Sequence, residues 1–465
     1  MARLLRRLTP VVLGLLLLPA LAIAQRAELE KILSKKILPN GMEIVVLENH
    51  GVPLATVELN VRNGSFTQGK GYEGLAHLYE HMFFKANAAA PNPDEFVSRA
   101  SDLGAVFNAT TQEERVNYYM TLRKDSVEGA IKLMAAAMRT PMFLKEELER
   151  EREVVLGEYD RQESNPHWAF QRDLNTALYP GQYSRKNVIG DREILRTVEP
   201  EKLFEIQRKY YIPNNTVLIV TGDVKPAEIF GLAEAAFGDW KPGPDPFKLD
   251  PIPPIPPIPP LKGNEVVITE QPVNAVTVWV TWQGPSVRKD PQATFAADVF
   301  SDVINQSLST FQRRLTDTGL FQSVGFNYYT LDQVGPISIQ GQTTPEKLKA
   351  ALAALDKEIT QLGDPGYITA DQLEAAKAER AVSTAFGMER ASDFAHTLGF
   401  WWSVADLEYY MGYIDNMAKQ TLQDLQAYAK KYIIGKPRIT GVLIDPESRK
   451  ALGLTKADLL PRVVQ

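Results

Sequence analysis

The sequence predicts an α+β protein of two homologous domains, each an antiparallel sheet with helices packed on one face. Three observations support this. The chain has 465 residues, too many for one ordinary domain, and two domains of about 200 residues each would account for it. A proline-rich stretch divides the chain near its middle, and the order strand, strand, helix occurs on both sides of that stretch.

The dividing stretch is residues 241–262, in which Ile-Pro-Pro repeats. Proline fixes φ and has no backbone donor, so this stretch cannot form a helix or a central strand. It is typical of an extended, semi-rigid spacer. We therefore expect an N-terminal domain at 25–240 and a C-terminal domain at 263–465.

Both halves contain the same succession of predicted elements. In the first half these are strands at Met42–Glu48 and Ala55–Val61, a helix around residue 80, and helices at Val127–Arg139 and Lys145–Asp160. In the second half they are strands at Glu265–Thr269 and Ala275–Thr281 and helices near Gln292–Ser309, at Pro345–Leu362 and at Thr369–Phe386. Leu148-Glu149 corresponds to Leu373-Glu374, an offset of 225 residues.

The first 24 residues have the pattern of a signal peptide. Arginines at 3, 6 and 7 precede an apolar core at Val11–Leu18, and Ala22-Ile23-Ala24 resembles a cleavage site. The core is short for a membrane span. We expect export to the periplasm without a stable membrane anchor; an uncleaved anchor is the alternative.

Composition excludes some classes of function. The net charge is −6 and 44% of residues are hydrophobic, as in soluble globular proteins. There is no basic run beyond the N-terminus, so nothing indicates nucleic-acid binding. The chain has no cysteine, which rules out a thiolate metal site.

The strongest chemical signal is the order His77, Glu80, His81. Two histidines four residues apart on a helix lie on one face and can bind one metal ion. Glu80 stands beside them and could accept a proton from a water at the metal. This H-x-x-E-H order is the inverzincin motif, and a chance match is the alternative.

A third ligand is needed, and a carboxylate is the best candidate because catalytic zinc sites use three protein ligands. In the acidic helix at 145–160, Glu151 and Glu158 share one stripe with Leu144, Leu148 and Val155. One glutamate could bind the metal and the other could orient a ligand. By pattern alone, a solvated helix face with a misplaced apolar stripe explains these positions equally well.

The stretch Gly74–Lys85 resembles the active-site helix of the pitrilysin-type (M16) metallopeptidases. Within that family the chain resembles the bacterial two-domain members and the zinc-bearing subunit of the mitochondrial processing peptidase. Further stretches that resemble the family are Leu38–Gly41, Asn108–Thr111, Tyr211–Asn215 and Thr221–Val224.

The resemblance implies a zinc endopeptidase that hydrolyses peptides or unfolded segments in the chamber of a clam-shell. It implies one Zn²⁺ per chain, held by His77, His81 and Glu158, with Glu80 as the catalytic base and Glu151 in support. Ligand type alone does not exclude Mn²⁺ or Co²⁺. Asn108 and Ala109 are implied to bind the substrate backbone at a strand edge.

The chain departs from the family at an arginine–tyrosine pair that stabilises the oxyanion. The aligned positions are Leu315 and Gln322, and the shifted pair Arg314 and Phe321 lacks the phenol. This implies a heterodimer in which a homologous subunit supplies the pair; a homodimer is less favoured. The alternative functions are a non-catalytic scaffold or peptide-binding member and a metal-binding protein without turnover.

Overall fold

The computed structural model describes residues 26–27, 29–248 and 255–461 and contains two α+β halves, as predicted. The expected signal segment at 1–24 lies outside the described residues. So does part of the predicted spacer, of which residues 255–262 contain no helix or strand. None of the helices described is both long and apolar enough to cross a membrane.

The first half contains one sheet and its helices. Its elements are β1 (Leu33–Ile37), β2 (Glu43–Glu48), β3 (Leu54–Val61), α1 (Leu75–Phe83), α2 (Glu95–Asp102), β4 (Val106–Thr111), β5 (Val116–Arg123), α3 (Val127–Arg139), α4 (Lys145–Glu163), α5 (Pro166–Leu178), α6 (Arg192–Thr197), α7 (Pro200–Tyr210), β6 (Thr216–Gly222) and α8 (Pro226–Phe237).

The second half has a similar order but no counterpart of β1. Its elements are β7 (Glu265–Glu270), β8 (Val276–Gln283), α9 (Pro291–Asn305), α10 (Thr310–Leu315), β9 (Ser323–Tyr328), β10 (Pro336–Thr343), α11 (Leu348–Gln361), α12 (Ala370–Phe386), α13 (Ala391–Val404), α14 (Leu407–Met411), α15 (Tyr413–Ala418), α16 (Leu422–Tyr432), β11 (Ile439–Ile444) and α17 (Pro446–Leu452).

The two sheets are mixed rather than purely antiparallel, which corrects the prediction. The first has the strand order β1-β2-β6-β3-β5-β4 and the second β7-β11-β8-β10-β9. In each, one pair is parallel: β2 with β6, and β7 with β11. The reason is that the last strand of each half returns to the middle of its sheet after a long helical connection, which a parallel pair requires.

Helices cover both faces of each sheet, although the sequence predicted only one covered face. Val46 and Leu59 face the core of the first half, whereas Val45 and Ile219 face α13, which comes from the second half. In return, α5 of the first half packs on β7 and β11 of the second. One helix of each half therefore packs on the sheet of the other half, and the two halves share buried apolar surface.

The helix predicted near Gln292–Ser309 ends earlier, at Asn305, and a separate short helix, α10, begins at Thr310. Asn305 ends α9, and the Ser309 side chain accepts a hydrogen bond from the backbone N–H of Gln312, which caps α10. Serine competes for backbone donors in this way and favours a helix start over a helix interior.

Candidate metal centre

The helix α1 carries the motif, and its start is fixed by a close backbone contact. Gly74 has φ of 90° and precedes α1. A Cβ at Gly74 would lie 2.6 Å from the carbonyl oxygen of Ile189, so only glycine allows this approach. The Gln68 side-chain oxygen accepts the Gly74 N–H. Leu78 and Tyr79 then bury the other face of the helix in the core.

The structure brings His77, His81 and Glu158 together. One possible ligand atom from each lies within 4.8 Å of the others. Oε2 of Glu158 is 3.6 Å from Nε2 of His77 and 3.8 Å from Nε2 of His81. The two imidazole centroids are 4.9 Å apart with their planes at 87°. Among the described residues, no other three histidines or carboxylates each bring a ligand atom within such a distance of the other two.

Helix α4 places Glu158 and Glu151 because its apolar stripe faces inward. Leu148 and Val155 are fully buried, and the two glutamates on the same stripe are half-buried. The helix therefore packs against α1 with its carboxylates directed at the motif. The stripe is not a solvated helix face.

Glu151 is not a member of the ligand cluster, but it contacts one member, His81, from behind. Its Oε2 lies 3.2 Å from Nδ1 of His81, and its Oε1 lies 2.6 Å from Nζ of Lys85. Burial alone would raise the pKa of Glu151, but the hydrogen bonds to His81 and Lys85 outweigh it and the pKa is lowered. Glu151 is thus held as a carboxylate that fixes the His81 ring and leaves Nε2 facing Glu158.

Glu80 is a buried carboxyl that interacts electrostatically with His81 and Glu158. It is 9% exposed, and the Thr111 hydroxyl donates a 2.6 Å hydrogen bond to its Oε2. Burial raises the pKa of Glu80, and the Thr111 hydrogen bond offsets only part of that effect. A raised pKa makes a carboxylate a better proton acceptor, as a general base requires.

The donor set fits a zinc ion. Burial lowers the pKa of His77 to about 3, so its ring is neutral and its nitrogen lone pair is available. The pKa of His81 is raised because Glu151, Glu80 and Glu158 together outweigh its burial. Two imidazole nitrogens and one carboxylate oxygen are the ligands of known three-residue zinc sites.

Asn108 and Ala109 lie on β4, the edge strand of the first sheet. Asn108 is exposed, whereas Ala109 is 8% exposed and packs inward. Thr111, on the same strand, contacts Glu80. An extended segment added to this edge would therefore run beside Glu80. Sequence reasoning missed Thr111 and Lys85, because neither has a periodic or spacing signal.

In the second half an ion pair joins the helices that correspond to α1 and α4. Arg380 of α12 donates to both carboxylate oxygens of Asp302 of α9, at 2.6 and 2.8 Å. Ser383 corresponds to Glu158 by the offset of 225 residues, and it lines a cavity of about 470 Å³ together with Asp302 and Arg380. This half thus has an arginine where the first half gathers metal ligands.

The residues considered for the oxyanion pair do not form one. Leu315 and Phe321 are buried in the core of the second half, and Gln322 is exposed. Arg314 donates to Glu358 at 3.3 Å and to Gln361 at 2.7 Å. Its guanidinium is therefore engaged within its own half.

Two models of known protein families match this chain. The family model described as Insulinase (Peptidase family M16) matches residues 44–192, and the model described as Peptidase M16 inactive domain matches residues 197–380. The interval between the two matches, residues 193–196, lies within the helix α6.

Individual proteins and structures match as well. A Rickettsia felis protein named Uncharacterized zinc protease is 22% identical over 78% of this chain and 85% of its own length. The mitochondrial-processing peptidase subunit beta of Dictyostelium discoideum is 26% identical over 44% of this chain and 43% of its own length. The crystal structure of a Helicobacter pylori protease has the same fold, with a TM-score of 0.78, 21% identity, and coverage of 88% of this chain and 99% of that one.

Proposed function

Since this chain belongs to the M16 peptidase family, we propose that it is a zinc-dependent endopeptidase. The observation that carries the proposal is the convergence of His77, His81 and Glu158 with the buried Glu80 beside them. In this proposal the three ligands hold one Zn²⁺ per chain. Bound zinc would supply a Lewis acid that polarises the scissile carbonyl and acidifies water.

Each protein group then has a defined task. Glu80 accepts a proton from the attacking water and returns it to the leaving amine. Glu151 holds the His81 ring in the orientation that turns Nε2 toward the metal. The Thr111 hydroxyl orients the Glu80 carboxyl. Peptides or unfolded segments would add to the β4 edge at Asn108 and Ala109, where backbone pairing makes little demand on sequence.

A partner subunit supplying an arginine and a tyrosine is part of this proposal. It is supported by the engagement of Arg314 with Glu358 and by the burial of Phe321. One relative is named as the beta subunit of a peptidase, so chains of this kind occur in assemblies. We expect activity to rise when a homologous subunit carrying that pair is added, and a second copy of this chain to give no such gain.

A non-catalytic family member is the competing function, and the match of the second half to an inactive domain favours it. The retained ligand set in the first half favours catalysis. We propose that the predicted signal peptide directs export to the periplasm, which amino-terminal sequencing of the protein from a periplasmic extract would test. A mature chain beginning at Gln25 is the expected result.

The deciding variant is Glu80→Gln. It keeps the shape of the side chain and removes the proton acceptor, so hydrolysis of a mixed peptide pool should fall by at least about a hundredfold. Bound zinc, measured by elemental analysis, should remain at one per chain. If the wild-type protein with its partner shows no chelator-sensitive cleavage, the non-catalytic function is correct. Normal cleavage by the variant would mean that another group is the base.

A further inference from the structure

A short segment at residues 183–191, here called the strap, lies between the start of α1 and the second half. Nε2 of Gln68 donates to the carbonyl oxygens of Ser184 and Asn187, at 2.8 and 3.1 Å, while its Oε1 accepts the Gly74 N–H. Gln68 is only 3% exposed. Because Gly74 and Gly190 also touch backbone to backbone, the strap and the helix start form one packed unit.

The other side of the strap is fastened to the second half. Nζ of Lys186 donates to the carbonyl oxygens of Gln333 and Val334, at 3.2 and 3.3 Å. Arg185 donates to the carbonyl oxygen of Pro256 in the spacer, at 2.7 Å. Lys186 is 8% exposed, so its charge is taken out of water to make these contacts.

A buried carboxylate completes the fastening. Glu114 accepts the backbone N–H groups of Asp332 and Gln333, at 2.8 and 2.6 Å. Val334 has φ of 67°, which a β-branched residue adopts only under constraint. Lys186 and Glu114 from the first half thus hold both the carbonyls and the N–H groups of one loop, residues 332–334, of the second.

We propose that Lys186 and Gln68 are positioning residues: through the strap, the contact with loop 332–334 sets the position of α1 and hence of His77. The inference rests on the proposed function, because it concerns the geometry of that metal site. His77 follows Gly74 by one turn, so a shift of the helix start moves its nitrogen relative to Glu158. A displacement of about 1 Å is enough to cost a hundredfold in rate.

The test uses Lys186→Met, which keeps the length of the side chain and removes its donors. Lys202→Met is the matched control, because Lys202 donates to the carbonyl of Gly71, in the same loop before α1, from within the first half. Each protein is loaded with Co²⁺, whose visible absorption reports ligand geometry, and is assayed for peptide cleavage with its partner. The expected result is an altered Co²⁺ spectrum and a kcat lower by about tenfold or more, at unchanged KM, in Lys186→Met alone.

A purely structural role would lower the unfolding temperature of Lys186→Met and leave its Co²⁺ spectrum and kcat as in the wild type, which would overturn the inference. Should Lys186→Met fail to fold, Gln68→Met decides, because it breaks only the contact between strap and helix. A wild-type spectrum and kcat in Gln68→Met would equally overturn it. If the wild-type chain itself bound no Co²⁺, the proposed function would fail first, and this inference with it.

Discussion

The substitution Glu151→Gln tests how strongly a residue behind the ligands controls metal binding. The wild-type carboxylate accepts from His81 with one oxygen and from Lys85 with the other. An amide has one oxygen for the two donors. If that oxygen faces Lys85, the NH₂ group faces Nδ1 of His81 and favours the tautomer with its proton on Nε2, the atom directed at Glu158.

The opposite orientation is also unfavourable, because the amide NH₂ then faces the Lys85 ammonium. Either way one charge-assisted hydrogen bond is lost, worth about 1.5–3 kcal/mol. Loss of a group that orients a metal-bound histidine costs about 10–100-fold in affinity. At about 1.4 kcal/mol per tenfold, that range corresponds to about 1.4–2.8 kcal/mol. The two free-energy ranges overlap. We therefore expect the dissociation constant for zinc to rise by about 10–100-fold in Glu151→Gln.

The assay is competition for zinc with a fluorescent chelator at neutral pH. The control is Glu149→Gln, which removes the same charge from an exposed position on the same helix. We expect the control to bind zinc like the wild type. Equal affinities of the two variants would refute the assignment of Glu151 to the His81 ring.

Three further predictions concern the metal, the helix start and the contact between the halves. Chelation should abolish cleavage and lower the unfolding temperature, and reloading should restore one zinc per chain by elemental analysis. Gly74→Ala should destabilise the fold by about 1–3 kcal/mol in urea unfolding because its φ is 90°, whereas Gly69→Ala, with open space around it, should not. Burial raises the pKa of Glu114 to about 7 from its ordinary 4.5. Between pH 4.5 and about pH 7, the folded state therefore keeps a proton on Glu114 that the unfolded state has lost. As the pH rises through this range, the wild type should lose about 3 kcal/mol of unfolding free energy relative to Glu114→Gln. Parallel pH profiles of these two proteins would contradict that prediction.

The proximity of His77, His81 and Glu158 could be predicted from the sequence, whereas the contacts of the residues around them could not. The spacing of His77, Glu80 and His81 identifies them as candidates. Glu158 is a candidate because it is an acidic residue on an otherwise apolar helix stripe. Thr111 lies on β4, 31 residues after Glu80 in the sequence, and its hydroxyl contacts the Glu80 carboxyl. Nothing in its local sequence marks that contact, because it depends on how β4 packs against α1.

The exchange of helices between the halves could not be predicted from periodicity. An apolar face on α13 shows that the helix packs on something, but it does not identify the sheet of the other half. Strand β6 carries one sequence signal of a strand covered on both faces. Val217–Val220 is an unbroken apolar run in the middle of the strand, and every residue of the strand is buried.

The two halves differ in what joins a pair of corresponding helices, α1 with α4 in the first half and α9 with α12 in the second. In the first half, zinc would join α1 and α4 by binding residues from both, so part of the packing of these helices depends on the ion. In the second half, the Arg380–Asp302 pair joins α12 and α9 in a bidentate contact that needs no ion. The Arg380 guanidinium is a permanent cation, so its ion pair with Asp302 connects the two helices without a bound metal. It follows that chelation should loosen the first half and leave the second intact, a difference that hydrogen exchange in α4 and α12 would measure directly.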